Sequence, residues 1–173
     1  MSHHNPEYDP EGESNVTKDN LLMSSLVRFF QNTDHMNRFI DVIRGKTVIS
    51  LRLLDWLITN YSKVHNIVYT VTINGEEKQF NMFLNYKTQL KAFSKKQFDP
   101  FQRRNRISFS VETEQYNDMI ITTIGQLNFF RWAIQYNVLE YAEMHLTKIE
   151  SDMTMKIQNR GNKVHKQKKW SNN

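Results

Sequence analysis

The sequence predicts a single α+β domain with N-terminal helices, a small antiparallel sheet containing an Asn-Gly hairpin, and C-terminal helices. Its 173 residues suit one domain with room for a core. Apolar residues recur at three- and four-residue spacing before and after the middle of the chain, as in helices. The middle alternates apolar and polar residues around Asn74-Gly75. Asn-Gly favours the type I′ turn of a two-residue hairpin, which places the strands here.

Three helices are expected before the sheet. Asp19 is a candidate N-cap for the first, and Thr33-Asp34 for the second, which Gly45 would end. The third, from about 47 to 63, has the widest apolar face and is expected to be the most buried. The apolar positions of the first two are Leu22, Leu26, Phe29, Phe30, Met36, Phe39, Ile40 and Ile43.

The expected sheet has three or four strands. Residues 67–73 and 76–84 flank the Asn-Gly turn, 107–111 form a third strand, and 119–123 are a candidate fourth. A basic helix over 86–98 separates the pairs and should end before Pro100. Its Lys87, Lys91 and Lys95 are spaced by four and would share one face.

Two helices are expected after the sheet. One starts near Thr123 and pauses at Asn137, and the last carries an apolar stripe. The stripe spans barely two heptads, so we expect it to dock on the core rather than form a coiled coil. Its members are Leu139, Ala142, Leu146, Ile149 and Met153.

Both ends are expected to be disordered, which limits the folded domain to residues 19–157. Residues 1–18 form an acidic arm without periodicity, and residues 158–173 form a Lys-rich tail. Residues 1–19 hold five acidic residues and one Lys, a net charge of −4, so the rest of the +5 chain carries +9. A cationic body indicates a polyanionic partner. The arm either competes for the basic surface or is a solvated tail.

The sequence offers no pattern that specifies a reaction. It contains no Cys, no phosphate-binding Gly loop and no serine nucleophile elbow. His3-His4 lie in the arm, and His35, His65 and His145 are scattered without metal-site spacing. We therefore predict a protein that is not an enzyme, with no catalytic residues, metal or cofactor. No apolar run is long enough for a membrane span, so no membrane partner is expected.

Chemistry is densest between Lys95 and Arg106, where five cationic side chains and two Phe surround Asp99-Pro100. Lys and Arg neutralise phosphates, and exposed Phe side chains stack on bases, so the segment predicts nucleic-acid contact. The alternatives are a solvated loop, Arg pairing with Glu112 and Glu114, and Phe side chains that pin the loop to the core. The predicted phosphate contacts are Lys91, Lys95, Lys96, Arg103, Arg104 and Arg106, and the candidate stacking residues are Phe98 and Phe101.

Three segments carry a family resemblance: ISLRLLDWLITNY at 49–61, FDPFQRRNRI at 98–107 and TIGQLNFFRWAI at 123–134. Their arrangement resembles a family of small uncharacterised proteins encoded by nucleocytoplasmic large DNA viruses, over about residues 46–153. The resemblance implies a viral origin and work in the viral factory of the host cytoplasm or in the virion. It transfers no catalytic residue.

The leading hypothesis is a non-enzymatic nucleic-acid-binding protein acting in genome packaging or transcription. The alternative is a structural or adaptor protein of the virion that binds viral proteins, with the Leu139–Met153 stripe as an interface. The sequence leaves DNA versus RNA, the oligomeric state and the role of the acidic arm open.

Overall fold

The structure, a computed structural model, describes residues 10–170, and the side chains of residues 18–164 within them. It is an α+β fold, as the sequence predicts. The helices are α1 (Pro10–Phe30), α2 (Thr33–Ile43), α3 (Leu51–Trp56), α4 (Ser62–His65), α5 (Met82–Gln97), α6 (Ile124–Gln135), α7 (Val138–Met144) and α8 (Leu146–Trp170), with a π-helical turn (Leu57–Tyr61) joining α3 to α4. The strands are β1 (Val68–Ile73), β2 (Glu76–Asn81), β3 (Ile107–Glu112) and β4 (Asn117–Thr122).

Side-chain caps set the starts of four helices, because each accepts a hydrogen bond from an otherwise unpaired N–H of the first turn. The capping residues are Asn32, Ser50, Asn81 and Thr123. The second helix is therefore capped one residue before the predicted Thr33-Asp34. The prediction for Asp19 is wrong, since Asp19 lies inside α1 and accepts a hydrogen bond from the Gln97 side chain.

The core lies where α1, α2 and α5 pack around α6. α6 buries eight of its twelve residues, among them Phe129, Phe130 and Trp132. It is more buried than the predicted third helix, which spans α3, the π-helical turn and α4. Aromatic rings from α1, α2 and β3 meet this centre, with Phe39 4.9 Å from Phe130 between ring centroids.

The strands form two separate antiparallel hairpins rather than one sheet. β1 pairs only with β2, and β3 only with β4, within the described part of the chain. The Asn-Gly turn is confirmed, with φ of 52° at Asn74 and 78° at Gly75. The predicted second strand ends at Asn81, because that residue caps α5 and turns Met82 into the first helical position.

The C-terminal stripe docks on the core, as predicted, but a break at His145 divides it between α7 and α8. Leu139, Ala142 and Ile149 are buried, so the stripe is not an open interface.

Helices continue into both predicted disordered segments. α1 starts at Pro10 and α8 reaches Trp170. His3-His4 and the rest of residues 1–9 lie outside the described residues, as do 171–173.

Between residues 10 and 170, no helix combines the length and apolar character needed to cross a membrane.

Candidate functional site

The first part of the loop at 98–106 is pinned to the core by Phe98. This side chain is 1% exposed, so it cannot stack on a base, and that prediction for Phe98 is wrong. Its pinning role is the alternative that the sequence left open. The surrounding rings are 5.5 to 6.5 Å away between centroids, and belong to Tyr86, Phe93, Phe129 and Trp132.

Hydrogen bonds then tie the loop to the start of α6. Asp99 N donates to Gly125 O (3.1 Å), and Gly125 N donates to Gln102 Oε1 (3.0 Å). The Gln126 side-chain amide donates to Pro100 O (3.0 Å). A Cβ at Gly125 would clash with the Gln102 side-chain oxygen, so a larger residue there would displace the Gln102 side chain. Two of the three segments that carry the family resemblance are thus bonded to each other.

A hydrogen-bonded pair on α6, the buried Asn128 and the partly buried Arg131, completes this attachment. Asn128 is 2% exposed and donates to Gln97 O (2.8 Å), while its side-chain oxygen accepts from Arg131 (2.8 Å). Arg131 also donates to Ser25 on α1 (2.7 Å). Burial lowers the pKa of Arg131. Arg131 is therefore a structural cation with fixed partners, and we exclude it from the candidate interface.

Beyond the turn the loop faces outward. Asp99 accepts a hydrogen bond from Phe101 N (2.9 Å), which fixes the turn, and Phe101 is 45% exposed. Phe101 therefore remains available as a stacking residue.

The three Arg of the loop are exposed and form no ion pair with any described residue. The sequence alternative of pairing with Glu112 or Glu114 is not realised. Arg106 Nε donates to the backbone O of Arg103 (3.1 Å), which keeps those two neighbours together. The three residues are Arg103, Arg104 and Arg106.

The lysines of α5 do not form one straight row. Ser94 has φ 60° and ψ 170°, a non-helical conformation that kinks α5. Lys87 and Lys91 precede the kink, whereas Lys95 and Lys96 follow it. The prediction that Lys87, Lys91 and Lys95 share one helix face is therefore wrong, although all four lysines are exposed.

The structure adds two cations that the site prediction omitted. Lys63 and Lys87 lie over the ring of Phe83, 5.8 and 5.6 Å from its centroid. This contact joins α4 to the α5 lysines. The four-residue spacing of Phe83 and Lys87 could have indicated this contact, because residues four apart share a helix face. The sequence analysis missed it by assigning residue 83 to a strand. We call the resulting set the basic surface: Lys63, Lys87, Lys91, Lys95, Lys96, Arg103, Arg104 and Arg106.

A groove of about 550 Å³ opens beside the basic surface, between α1 and α5. Three lysines line it against one acidic residue, Asp19, which is engaged by Gln97. Lys18 was also absent from the predicted site. The lining residues are Lys18, Asp19, Lys91, Ala92, Phe93, Ser94, Lys96, Gln97, Gln102, Asn105 and Ile124.

Two carboxylates lie near the inner side of the loop. Burial raises the pKa of Asp55, the neighbouring Asp99 raises it further, and Lys95 opposes them. Burial likewise raises the pKa of Tyr86, with a further contribution from the same two carboxylates. Lys95 therefore lies close enough to Asp55 to affect its ionisation.

Of the three histidines weighed as metal ligands, two stack on aromatic rings, and the third, His65, has its Nε2 3.9 Å from Asp152 Oδ1. His35 lies 4.0 Å from Phe29, and His145 lies 4.1 Å from Tyr141, between ring centroids. Among the described residues, no group of three or more His or carboxylate side chains is placed to hold a metal ion.

The fold and its surface define a small α+β protein with exposed, unpaired cations around a loop anchored on α6. A model described as a family of unknown function, DUF7197, matches residues 11–173, and the chain belongs to that family. The chain is 34% identical over 185 residues to an uncharacterised protein of Acanthamoeba polyphaga mimivirus, covering 99% of this chain and 70% of the relative. No solved structure matches the chain. The resemblance to an uncharacterised family of giant DNA viruses is confirmed.

Proposed function

We propose that this protein binds nucleic acid through the basic surface, without catalysing a reaction. The observation that carries the proposal is that none of its eight cations forms an ion pair with a described residue. Four other described cations do form ion pairs with carboxylates, namely Arg38, Arg44, Lys78 and Lys156. Unpaired cations on one surface favour a phosphate backbone, because each contact releases condensed counterions.

The arrangement suits phosphate positioning rather than base reading. The Arg side chains extend from an exposed loop, and the first residues of this loop are fixed to the core by Phe98 and to α6 by hydrogen bonds. The backbone that carries the cations is therefore anchored. Binding should therefore discriminate little between sequences and weaken with salt. Within the viral setting that the family indicates, we assign the activity to genome packaging or transcription, in the viral factory of the host cytoplasm or in the virion.

The test replaces Arg103 and Arg104 with Ala and measures binding to labelled duplex and single-stranded DNA and RNA across a salt series. Losing two phosphate contacts should flatten the duplex salt slope by about 1.8. The charge-matched control replaces Lys78 and Lys148, two exposed cations outside the basic surface, and should leave the slope unchanged. A slope unaffected by the Arg changes would remove the loop from the interface.

A second candidate function, protein binding within the virion, is favoured by the outer face of the β3–β4 hairpin. Met119 and Ile121 are 57% and 62% exposed and alternate along β4. They lie opposite Ser110 and Ser108, so the two apolar side chains share one open face. An assembly that persists at high salt and is lost in Met119→Ser/Ile121→Ser would support this function over nucleic-acid binding.

A further inference from the structure

We infer that the groove between α1 and α5 takes an unpaired nucleotide, which makes single-stranded nucleic acid the preferred ligand. The inference rests on the proposed function and names its substrate class. The groove is contiguous with the basic surface, because Lys91 and Lys96 belong to both. A strand lying on the surface would therefore pass the groove entrance.

The lining offers separate partners for phosphate and for base. Lys18 lines the groove from α1, while Lys91 and Lys96 line it from α5, so lysines lie on two sides. Phe93 and Ile124 supply partly buried apolar surface for the face of a base. The combination of backbone-tracking cations with apolar or aromatic platforms is typical of single-strand binding.

Amide groups in the groove are positioned for the edge of a base. Gln102 Oε1 is held by Gly125 N, and its Nε2 has no hydrogen-bond partner among the described residues. Gln97 is similarly held through its side-chain nitrogen by Asp19, which leaves its oxygen as an acceptor. Fixed amides with a free donor or acceptor can bond a base edge once that edge is not occupied by pairing.

The groove also contains a residue with a strained backbone conformation. Ser94 lines the groove with φ 60° and ψ 170°, a region that residues other than glycine rarely occupy. Such strain persists where surrounding contacts enforce it, and it is frequent at binding sites. Lys91 and Lys96 lie on either side of this kink, and both line the groove.

The volume favours a single nucleotide over a duplex. About 550 Å³ lies in the usual range for small-ligand sites. A base in a duplex is stacked and paired, so it would have to leave the helix at a cost of a few kcal/mol before it could enter. Single strands present their bases without that cost.

The first test removes a groove cation that lies outside the basic surface. Lys18→Gln in the full-length protein should reduce the salt slope for labelled oligo(dT) and oligo(U) by about 0.7 and leave the slope for a duplex of equal length unchanged. Arg28→Gln is the matched control, since it removes an exposed cation from the same helix outside the groove lining. It should bind both ligands as the wild type does.

The second test fills the groove without changing charge. Ala92 is exposed and lines the groove, so Ala92→Leu should weaken oligo(dT) binding by about fivefold, roughly the loss of one base contact, at an unchanged salt slope. Thr88→Leu, one turn earlier on α5 and outside the lining, is its control. Circular dichroism of each variant verifies the fold.

The outcomes separate the two proposals. Duplex binding that is as tight as single-strand binding, or wild-type behaviour of either groove variant, would overturn the groove inference alone. Equal competition by free thymidine monophosphate at the same nucleotide concentration would make the groove a mononucleotide site and also overturn it. Absence of binding to every nucleic acid would overturn both proposals.

Discussion

The two halves of the loop at 98–106 are adjacent in the chain but differ in burial and in their attachment to the core. Residues 98–102 form an anchor half, which apart from the exposed Phe101 is held by the buried ring of Phe98 and by hydrogen bonds to α6. Residues 103–106 form an outer half, which is exposed and has no ion pairs with described residues. The comparison shows that one short loop can contain both the residues that fix it to the core and the exposed cations that it presents to solvent. Changes at Phe98 and at its attachment to α6 should affect stability, and changes in the outer half should affect binding.

The largest effect is expected at Phe98. Phe98→Ala would leave a cavity among four aromatic rings and should lower the free energy of unfolding by about 3–5 kcal/mol. Phe101→Ala, on the other side of the same proline, should change it by about 0.5 kcal/mol or less, because Phe101 is exposed. Urea unfolding of both variants measures the difference. Equal losses would contradict the assignment of the anchoring to the buried ring of Phe98.

Gly125→Ala should have an intermediate effect. The added methyl would displace the Gln102 side chain and break its hydrogen bond from Gly125 N, at a cost of about 1–2 kcal/mol. Gly161→Ala is the control, because nothing lies within 4 Å of the added atom on α8. There the better helix propensity of Ala should stabilise by up to about 1 kcal/mol. Thermal unfolding tests both, and a neutral Gly125→Ala would show that the attachment to α6 contributes little.

The smallest effect is expected at Asp55, beside the anchor half. Burial and Asp99 raise the pKa of Asp55 above 3.8, so its ionisation is harder in the folded protein than in the unfolded chain. Stability contributed by the protonated group is present below pH 3.8 and is lost as the pH rises through the folded pKa. Asp55→Asn should therefore be more stable than the wild type at pH 7, with an advantage that shrinks towards pH 3.8.

Urea unfolding of Asp55→Asn and of the wild type at pH 7 and at pH 3.8 measures how their difference in stability changes with pH. Glu77→Gln, which removes an exposed carboxylate on β2, is the control for the loss of a negative charge. An Asp55→Asn advantage of the same size at both pH values would contradict the assignment to ionisation.

Local patterns were sufficient where the structure depends on neighbours in sequence. The Asn74-Gly75 hairpin, the pause at Asn137 and the start of the helix at Thr123 all depend on backbone conformation and capping within a few residues. The end of β2 was missed for a related reason. Met82 and Leu84 continue an alternating pattern, yet the Asn81 cap starts a helix there. Two local signals competed, and the cap prevailed.

The candidate site could be predicted only in part. The sequence identified the exposed cations of the outer half, because a dense run of Lys and Arg is seldom buried. It could not separate Phe98 from Phe101, since both flank the same Asp-Pro pair. It also omitted Lys18 and Lys63, which lie far along the chain from the loop and join the site only through α1 and α4.

The sequence by itself determined the α+β class, the helical regions, the Asn-Gly hairpin and the basic character of the loop, because these follow from periodicity, turn chemistry and charge. Only the tertiary structure decided that the strands form two hairpins, that Phe98 is buried, and that Lys18 meets Lys91 and Lys96 across a groove. These features depend on contacts between residues distant in sequence. Their free energy comes from burying surfaces against each other, and a local pattern does not specify which surfaces meet.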